Sequence, residues 1–296
     1  MTRRRLALTA GVILLVTAGG LVIRNQLKVR RGRYARDLAM QQRHPVVALP
    51  PDVASFRRDL FDMLKPVALS NCTLERFGEE NDGGYLMCAN LLGAARAVYS
   101  YGISGYDKWG CDLSTRLAVP VHQYDCFNTS RPSCSAGKPV FHEECVGPRS
   151  ETIDGRPFDT VQGQMARNGD GASHIVMKID VEGAEWDTFL SMPDDAFSRI
   201  DQLAVEFHWE EGGPHGWAHD DRYTRAVARL KQFYEVAHIH FNNASCIGDL
   251  APFPSWAYEV LFVSKRLAVI DPARPAASRI GLDARNDPAR PDCQAR

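Results

Sequence analysis

The sequence predicts an α/β fold built on a doubly wound, mostly parallel sheet. Three observations support this prediction. Short apolar segments rich in β-branched residues alternate with amphipathic segments of helical spacing, several of the apolar segments end in an acid or a glycine, and the last two have no helix between them. Alternating strands and helices are typical of parallel sheets covered on both faces. The final pair predicts a hairpin-like finish, in which one strand runs antiparallel.

The first segment, residues 1–23, has three arginines followed by an apolar run just long enough to cross ~30 Å of hydrocarbon. We interpret it as a single-pass transmembrane signal anchor, because the run is long for a signal-peptide core and basic residues follow it directly. Small residues at 17–19 leave cleavage as an alternative. Residues 24–51 are basic and then proline-bearing, which is typical of a stalk. We therefore expect a membrane as one partner.

Two features of the sequence give opposite predictions for the side of the membrane on which the domain lies. Basic residues are more numerous after the apolar run than before it, which favours the cytoplasm. Eight cysteines without a CxxC pair favour an oxidising compartment over a zinc site, and glycosylation sequons occur at Asn71, Asn128 and Asn243. We expect a lumenal or extracytoplasmic domain, in which Cys126 and Cys134 are plausible disulfide partners.

Composition limits the classes of function. The formal net charge is -1 and no basic patch is interleaved with aromatic residues, so nucleic acid is not an expected partner. With 296 residues, 45% of them hydrophobic, the chain can build a substantial core. We place the folded domain at residues 52–268. Residues 269–296 are rich in proline, alanine and arginine without periodicity, and we expect a disordered tail.

The elements follow in order. Apolar positions at helical spacing predict a helix within residues 52–69, and an Asn-Asp-Gly-Gly turn at 81–84 predicts a hairpin of two short strands. Further strands are predicted at residues 97–103, 119–124, 140–146, 175–179, 202–207, 234–241 and 257–264. Further helices are predicted at residues 108–117, 158–167 and 220–234.

The most informative segment, residues 175–186, is a buried strand that ends in Asp180, followed by Glu182, Gly183 and an amphipathic helix. In an open α/β sheet, ligands bind outside the carboxyl ends of the strands, where these two acids lie. The alternative is that the acids only cap the following helix.

A second group of candidate ligand-binding residues lies in and after the turn at residues 102–107, which follows the first predicted strand of the main sheet. Gly102 and Gly105 would let a ligand approach the backbone closely, and Asp107 closes the turn. Neither a complete dinucleotide motif nor a phosphate-binding P-loop motif is present. Asp125 ends the next strand about twenty residues later, where an acid binds the ribose hydroxyls of an adenosine-bearing cofactor. That spacing fits nicotinamide cofactors as well.

Two further strand ends add polar groups to the same edge. Glu206 and His208 lie two residues apart, so both face one side of their strand, beside the acids that follow residues 175–179. This group could hold a divalent cation or a substrate hydroxyl. We expect the hydroxyl, and no metal. His240 and Asn242 end the following strand and could line the same ligand-binding edge of the sheet.

Residues 178–186, Lys-Ile-Asp-Val-Glu-Gly-Ala-Glu-Trp, resemble the hallmark strand of FkbM-type S-adenosylmethionine-dependent methyltransferases. Residues 76–85 and 99–103 are similar to related methyltransferase-like proteins of animals, which carry an N-terminal hydrophobic segment. The resemblance covers roughly residues 70–265. It implies a class I methyltransferase fold, a Rossmann-like sheet of seven strands whose last strand is antiparallel. One departure is the first turn, 102–107, which lacks the family's common glycine-rich pattern.

The resemblance implies S-adenosyl-L-methionine as cofactor, with contacts at Gly102, Asp125 and Asp180, and a sugar or glycolipid hydroxyl as acceptor. We add Gly105 and Asp107 as cofactor contacts. The expected catalytic residues are those at two strand ends: Glu182, Glu206 and His208. The expected acceptor-binding residues are Arg76, Asp82, Tyr85, His240 and Asn242.

The predicted function is that of a membrane-anchored O-methyltransferase acting on a glycan or other small-molecule acceptor. Two alternatives remain. One is a nicotinamide-dependent oxidoreductase, which the missing dinucleotide motif disfavours. The other is a catalytically inactive binding module built on the same fold.

Overall fold

Most of the chain after the predicted stalk is described by the structure, a computed structural model. The described ranges are 51–209, 221–248, 250–276 and 281–293. All of them fall within one compact unit, Ala48–Arg296. The predicted anchor at residues 1–23 and all but the last residue of the predicted stalk lie outside the described residues. Within the described ranges, no helix is both long and apolar enough to cross a membrane.

Strands and helices alternate along the domain as the sequence predicts. The strands are β1 (Leu74–Gly78), β2 (Gly84–Cys88), β3 (Ala97–Tyr101), β4 (Pro120–Tyr124), β5 (Lys138–His142), β6 (Cys145–Val146), β7 (Glu151–Ile153), β8 (Arg156–Asp159), β9 (Ile175–Ile179), β10 (Ile200–His208), β11 (Tyr234–Phe241) and β12 (Ala257–Ser264). The helices are α1 (Pro51–Met63), α2 (Lys108–Leu117), α3 (Val161–Arg167), α4 (Glu185–Ser191), α5 (Asp194–Arg199) and α6 (Asp221–Phe233).

The central sheet has seven strands in the order β5-β4-β3-β9-β10-β12-β11. Neighbours from β5 to β10 are parallel, whereas β12 is antiparallel to both β10 and β11. The prediction of seven strands with the last one antiparallel is confirmed, and the arrangement is Rossmann-like. The chain moves outward through β3, β4 and β5 and then returns to the other side of β3 with β9. The switch point therefore lies between β3 and β9, and ligands bind at such points in open α/β sheets.

Each face of the sheet buries its own apolar core. On one face, the β1–β2 hairpin and α2 pack against alternate residues of the central strands, such as Val98 and Val176. On the other, α1 and α3 to α6 cover the remaining strand residues, with Trp186 stacked on Phe207 at 4.4 Å between ring centroids. Truncating a buried aromatic of this kind to alanine typically costs about 3–5 kcal/mol of stability. These cores fix the strand ends that form the polar edge.

Two predicted elements have different boundaries. The helix expected at 158–167 begins only at Val161, because Arg156–Asp159 pairs as β8 in a small sheet of order β6-β8-β7. Thr160 caps this helix by accepting a hydrogen bond from the Gly163 N–H. The strand expected at 140–146 is interrupted after His142, and its last residues join the small sheet. In both cases strand pairing decides the boundary, which periodicity alone does not reveal.

All eight cysteines are paired in the structure. The pairs are Cys72–Cys88, Cys111–Cys134, Cys126–Cys145 and Cys246–Cys293. The pair expected from the sequence, Cys126 with Cys134, was wrong. Cys126 follows β4 and meets the start of β6, whereas Cys134 lies against Cys111 of α2.

The segment expected to be a disordered tail, residues 269–296, packs against the domain where it is described. Ile270 forms a β-bridge with Leu69, and Cys293 is bonded to Cys246. The amide of Asn286 donates to Glu259 at 2.7 Å. Polar contacts and a disulfide hold this segment, so it shows no hydrophobic period in the sequence.

The three sequon asparagines differ in exposure. Asn243 is 1% exposed, and its amide nitrogen donates to backbone carbonyls of the C-terminal segment. A glycan at this position is incompatible with the folded domain. Asn71 and Asn128 are partly exposed, with their amides donating to the carbonyls of Leu267 and Ser104.

Candidate functional site

The two turns at the switch point touch each other through their backbones. Gly102 has φ +71°, and a Cβ there would lie 1.6 Å from the carbonyl oxygen of Asp180. Glycine is therefore required for the ends of β3 and β9 to approach this closely. The buried amine of Lys178 donates to the Gly102 carbonyl at 3.1 Å and strengthens the contact.

Asp125 holds backbone amides of the turns on either side of it. Its Oδ1 accepts from the N–H groups of Phe127 and Asn128, and its Oδ2 accepts from the Ser104 N–H, all at 2.8 Å. A carboxylate oxygen has two acceptor positions. One position on Oδ2 remains, enough for a single ribose hydroxyl.

Asp107 and Gly105 have structural partners within the same turn. The buried carboxylate of Asp107 caps α2 by accepting from the Gly110 N–H at 2.9 Å, and it accepts from the Gln123 amide at 2.9 Å. Burial raises the pKa of Asp107. Gly105 has φ +84°, and a Cβ there would lie 2.9 Å from the Asn128 side chain. Helix capping and turn geometry account for both positions without a ligand.

Asp180 lies at the centre of the edge and is held on one side only. Its Oδ2 accepts from the Tyr85 hydroxyl at 3.1 Å and lies 3.3 Å from the Lys178 amine. Burial opposes the charge on Lys178, but Asp180 and Asp107 outweigh it and raise the pKa of the amine. Burial and the Asp180 charge raise the pKa of Tyr85. The ammonium and the phenol therefore remain donors toward Asp180.

His208 faces Asp180 from the end of β10. Its Nδ1 lies 3.1 Å from Oε1 of the fully buried Glu185, and its backbone N–H donates to the same oxygen at 2.6 Å. Burial opposes protonation, but the hydrogen bond to Glu185 and the charges of Glu185, Glu206 and Asp180 raise the pKa of His208 to about 10. Near neutral pH the charged form of this imidazole is favoured, so His208 would act at this edge as a hydrogen-bond donor.

Glu182 is the exposed member of the group. Its φ is +55°, its side chain is 81% exposed, and its Oε2 lies 3.8 Å from Nε2 of His208. The helix-capping alternative for this acid is not observed, because α4 has Ala184 at its N-cap with no side-chain hydrogen bond. The Gly183 N–H donates instead to Glu185, at 2.9 Å. Within the described residues, Glu182 thus makes no hydrogen bond that stabilises the turn or the helix.

Glu206 lies beneath the edge in a buried acid pair. It faces Glu259 directly across the β10–β12 pairing and accepts from the Asn242 amide at 2.7 Å. Burial and the charge of Asp180 raise the pKa of Glu206 well above its ordinary value. The protonated form is favoured, so Glu206 is poorly suited to act as a base.

The residues expected to contact an acceptor lie around a cleft beside this pair. The cleft includes Arg76, Tyr85, His238, His240, Glu259 and Asp283 in its lining. Arg76 also donates to the Asn81 carbonyl at 2.6 Å, which holds the hairpin turn. Asp82 and His240 both contact Asn286, at 3.1 Å each. The structure thus brings three of the predicted acceptor residues, Arg76, Tyr85 and His240, into the lining of one cleft. Asp82 is linked to them through Asn286, whereas the Asn242 amide donates to Glu206 and is not part of the lining.

Five site residues were missed by the sequence analysis. They are Lys178, Glu185, Glu259, Asp283 and Asn286. Two features of the sequence could have indicated some of these residues. The even cysteine count predicts a partner for Cys293, which would have tied the C-terminal segment to the domain. The two-residue period of a strand places Lys178 on the same side as Asp180.

The sequence was compared with known families and proteins. No family model matches it, and no curated protein is significantly similar to it.

Proposed function

We propose that this chain is an S-adenosylmethionine-dependent O-methyltransferase that acts on a hydroxyl of a sugar or glycolipid. The observation that carries the proposal is the position of Gly102, Asp125 and Asp180, which end three adjacent parallel strands at the switch point of the sheet. The antiparallel last strand between β10 and β11 supports the finer assignment to the class I methyltransferase fold.

The residues present fit the cofactor in two respects. Asp125 keeps one acceptor position, sufficient for one ribose hydroxyl. The edge also carries the carboxylates of Asp180 and Glu182, which suit a positively charged sulfonium. When bound, the cofactor supplies a methyl group that an acceptor oxygen takes by in-line displacement. The protein contributes positioning and proton removal.

Glu182 is the group best placed to receive the proton of the acceptor hydroxyl. Glu206 favours its protonated form and His208 is charged near neutral pH, so neither offers a basic atom there. The Glu182 side chain is accessible from solvent and has no competing hydrogen bond in the described part of the chain. Charged His208 would orient the hydroxyl or its developing oxyanion.

We also propose that the domain is extracytoplasmic and held by residues 1–23. The support is the pairing of every cysteine, since disulfides persist in oxidising compartments. The partly exposed sequons at Asn71 and Asn128 agree with this location.

Calorimetric titration of the full-length oxidised protein tests the cofactor directly. We expect S-adenosylmethionine and its demethylated product to bind and NAD not to bind. At a hundredfold excess over the dissociation constant, the bound ligand should stabilise the fold by about 2.7 kcal/mol. Binding of NAD alone would indicate an oxidoreductase, and binding of none of the three would indicate a non-catalytic module.

A further inference from the structure

One nitrogen of a buried histidine lacks a hydrogen-bond partner. His208 is only 6% exposed, and its Nδ1 is engaged by Glu185. Among the residues that the structure describes, its Nε2 has no partner within hydrogen-bond distance. Nε2 itself keeps some exposure to solvent, so water or a ligand can reach it. Nε2 points into the space between Asp180 and Glu182.

The two acids present unoccupied oxygens to this nitrogen. Asp180 Oδ1 lies 3.9 Å and Glu182 Oε2 lies 3.8 Å from Nε2, and the three atoms all lie within 4.8 Å of one another. Neither oxygen accepts a hydrogen bond within the described ranges. One nitrogen and two oxygens thus converge from two neighbouring strand ends.

Two of the three candidate ligands, His208 and Asp180, are held in orientation by contacts on the side away from the site. Nδ1 of His208 is held by the carboxylate of Glu185, and Oδ2 of Asp180 is held by Tyr85 and Lys178. A metal-binding histidine almost always donates its second ring N–H to a carboxylate or carbonyl, and metal-binding carboxylates are likewise hydrogen-bonded. A site built only for a salt bridge does not need this second layer of contacts.

We propose that Asp180, Glu182 and His208 bind a divalent transition-metal ion, which revises the expectation of no metal. Mixed imidazole and carboxylate ligands suit Mn²⁺ or Zn²⁺.

The geometry requires only a small adjustment. Ligand atoms about 2.1 Å from a tetrahedral metal lie about 3.4 Å apart. In the structure the two oxygens lie 3.9 and 3.8 Å from Nε2, and all three atoms lie within 4.8 Å of one another. The exposed Glu182 side chain can supply this movement, since packing does not fix it. Three protein ligands leave open positions, as in catalytic metal sites.

The role of the metal deepens the proposed function and rests on it. With the ion bound, the metal and not a charged His208 would orient the acceptor hydroxyl and lower its pKa, and the second oxygen of Glu182 would receive the proton. This assigns the acceptor as a group able to ligate a metal through its hydroxyl, as vicinal sugar hydroxyls do.

The test is Mn²⁺ binding to full-length, chelator-treated, oxidised protein without cofactor or acceptor, followed by calorimetry and electron paramagnetic resonance. We expect one bound Mn²⁺ per chain with nitrogen hyperfine coupling from an imidazole. Glu182→Gln should weaken binding at least ~10-fold, because loss of even an outer-layer contact typically costs that much. Glu143→Gln, at an exposed glutamate outside the site, is the matched control.

Two results would overturn the metal site: no stoichiometric binding of Mn²⁺ or Zn²⁺, or binding that Glu182→Gln leaves unchanged. The Glu182 variant keeps the test valid even if changes at buried His208 prevent folding. Metal binding without S-adenosylmethionine binding would retain this site and reject the methyltransferase. Cofactor binding without metal binding would do the reverse.

Discussion

Two turns at the same edge of the sheet begin with an acid and use it differently. After β4, Asp125 accepts three backbone N–H groups, and the turn is satisfied by its own carboxylate. After β9, the buried Glu185 holds the Gly183 N–H and the end of β10. Asp180 Oδ1 and Glu182 Oε2 accept no hydrogen bond in the described part of the chain. The second turn therefore has acceptors to offer to a ligand.

An acid at the end of a strand is therefore available to a ligand only where another residue accepts the hydrogen bonds of the backbone N–H groups in the turn. Glu182 and Glu185 lie three residues apart and contact opposite nitrogens of one imidazole. Glu185 is fully buried, whereas the Glu182 side chain is 81% exposed. We therefore propose that Glu185 has the structural role and Glu182 the chemical one.

We expect the greatest loss of stability when the structural glutamate, Glu185, is replaced. Glu185→Ala removes the acceptor of two backbone N–H groups and leaves the charged imidazole of His208 buried without its nearest carboxylate. Breaking a buried pair in this way should lower the free energy of unfolding by about 3–5 kcal/mol. Glu182→Ala is the matched control and should change it by less than ~0.5 kcal/mol. Equal losses in urea unfolding would refute the division of roles.

A smaller loss of stability is expected at the first turn. Asp125→Ala leaves the N–H groups of Ser104, Phe127 and Asn128 without their acceptor, which should cost about 2 kcal/mol. Asp125→Asn keeps one carbonyl oxygen and should cost about half as much. If both variants unfold at the wild-type urea concentration, Asp125 is not a structural acid, and a purely ligand-binding role would be favoured.

The smallest stability effect concerns the buried acid pair, and it depends on pH. Five groups lie around Glu259: its pair partner Glu206, Arg76, Asp82, His240 and Asn286. Burial raises the pKa of Glu259 above its ordinary value of 4.5, although the surrounding His240, Asn286 and Arg76 oppose this. The folded state therefore holds this proton more tightly than the unfolded state does. The stability from this proton is complete below pH 4.5 and is lost as pH rises through the folded-state pKa.

Glu259→Gln should remove this pH dependence of the free energy of unfolding. The loss should be about 1.4 kcal/mol for each pH unit between the folded-state and unfolded-state pKa values of Glu259. Glu235→Gln, on the partly exposed face of β11, is the control and should leave the slope intact. Urea unfolding measured at several pH values above 4.5 checks this. A wild-type slope in the Glu259 variant would show that burial does not shift this acid.

Much of the fold could be predicted from the sequence, because strands buried on both faces read as continuous apolar runs. Residues 175–179 and 108–117 were placed with the bounds that the structure has. The site was predicted only in part, because hydrogen-bond partners depend on contacts distant in sequence. Asn286 reaches Glu259 through a segment without hydrophobic periodicity, and the buried role of Glu185 depends on His208, 23 residues away.

We propose that the turn after β9 carries the chemistry of an S-adenosylmethionine-dependent O-methyltransferase. Transfer of a radiolabelled methyl group from S-adenosylmethionine to sugar and glycolipid acceptors, measured for wild type and Glu182→Gln, tests it most directly. We expect transfer by wild type, and turnover lower by ~10²–10⁴-fold in the variant with its free energy of unfolding unchanged. A stable Glu182→Gln protein that transfers methyl groups at the wild-type rate would contradict the account.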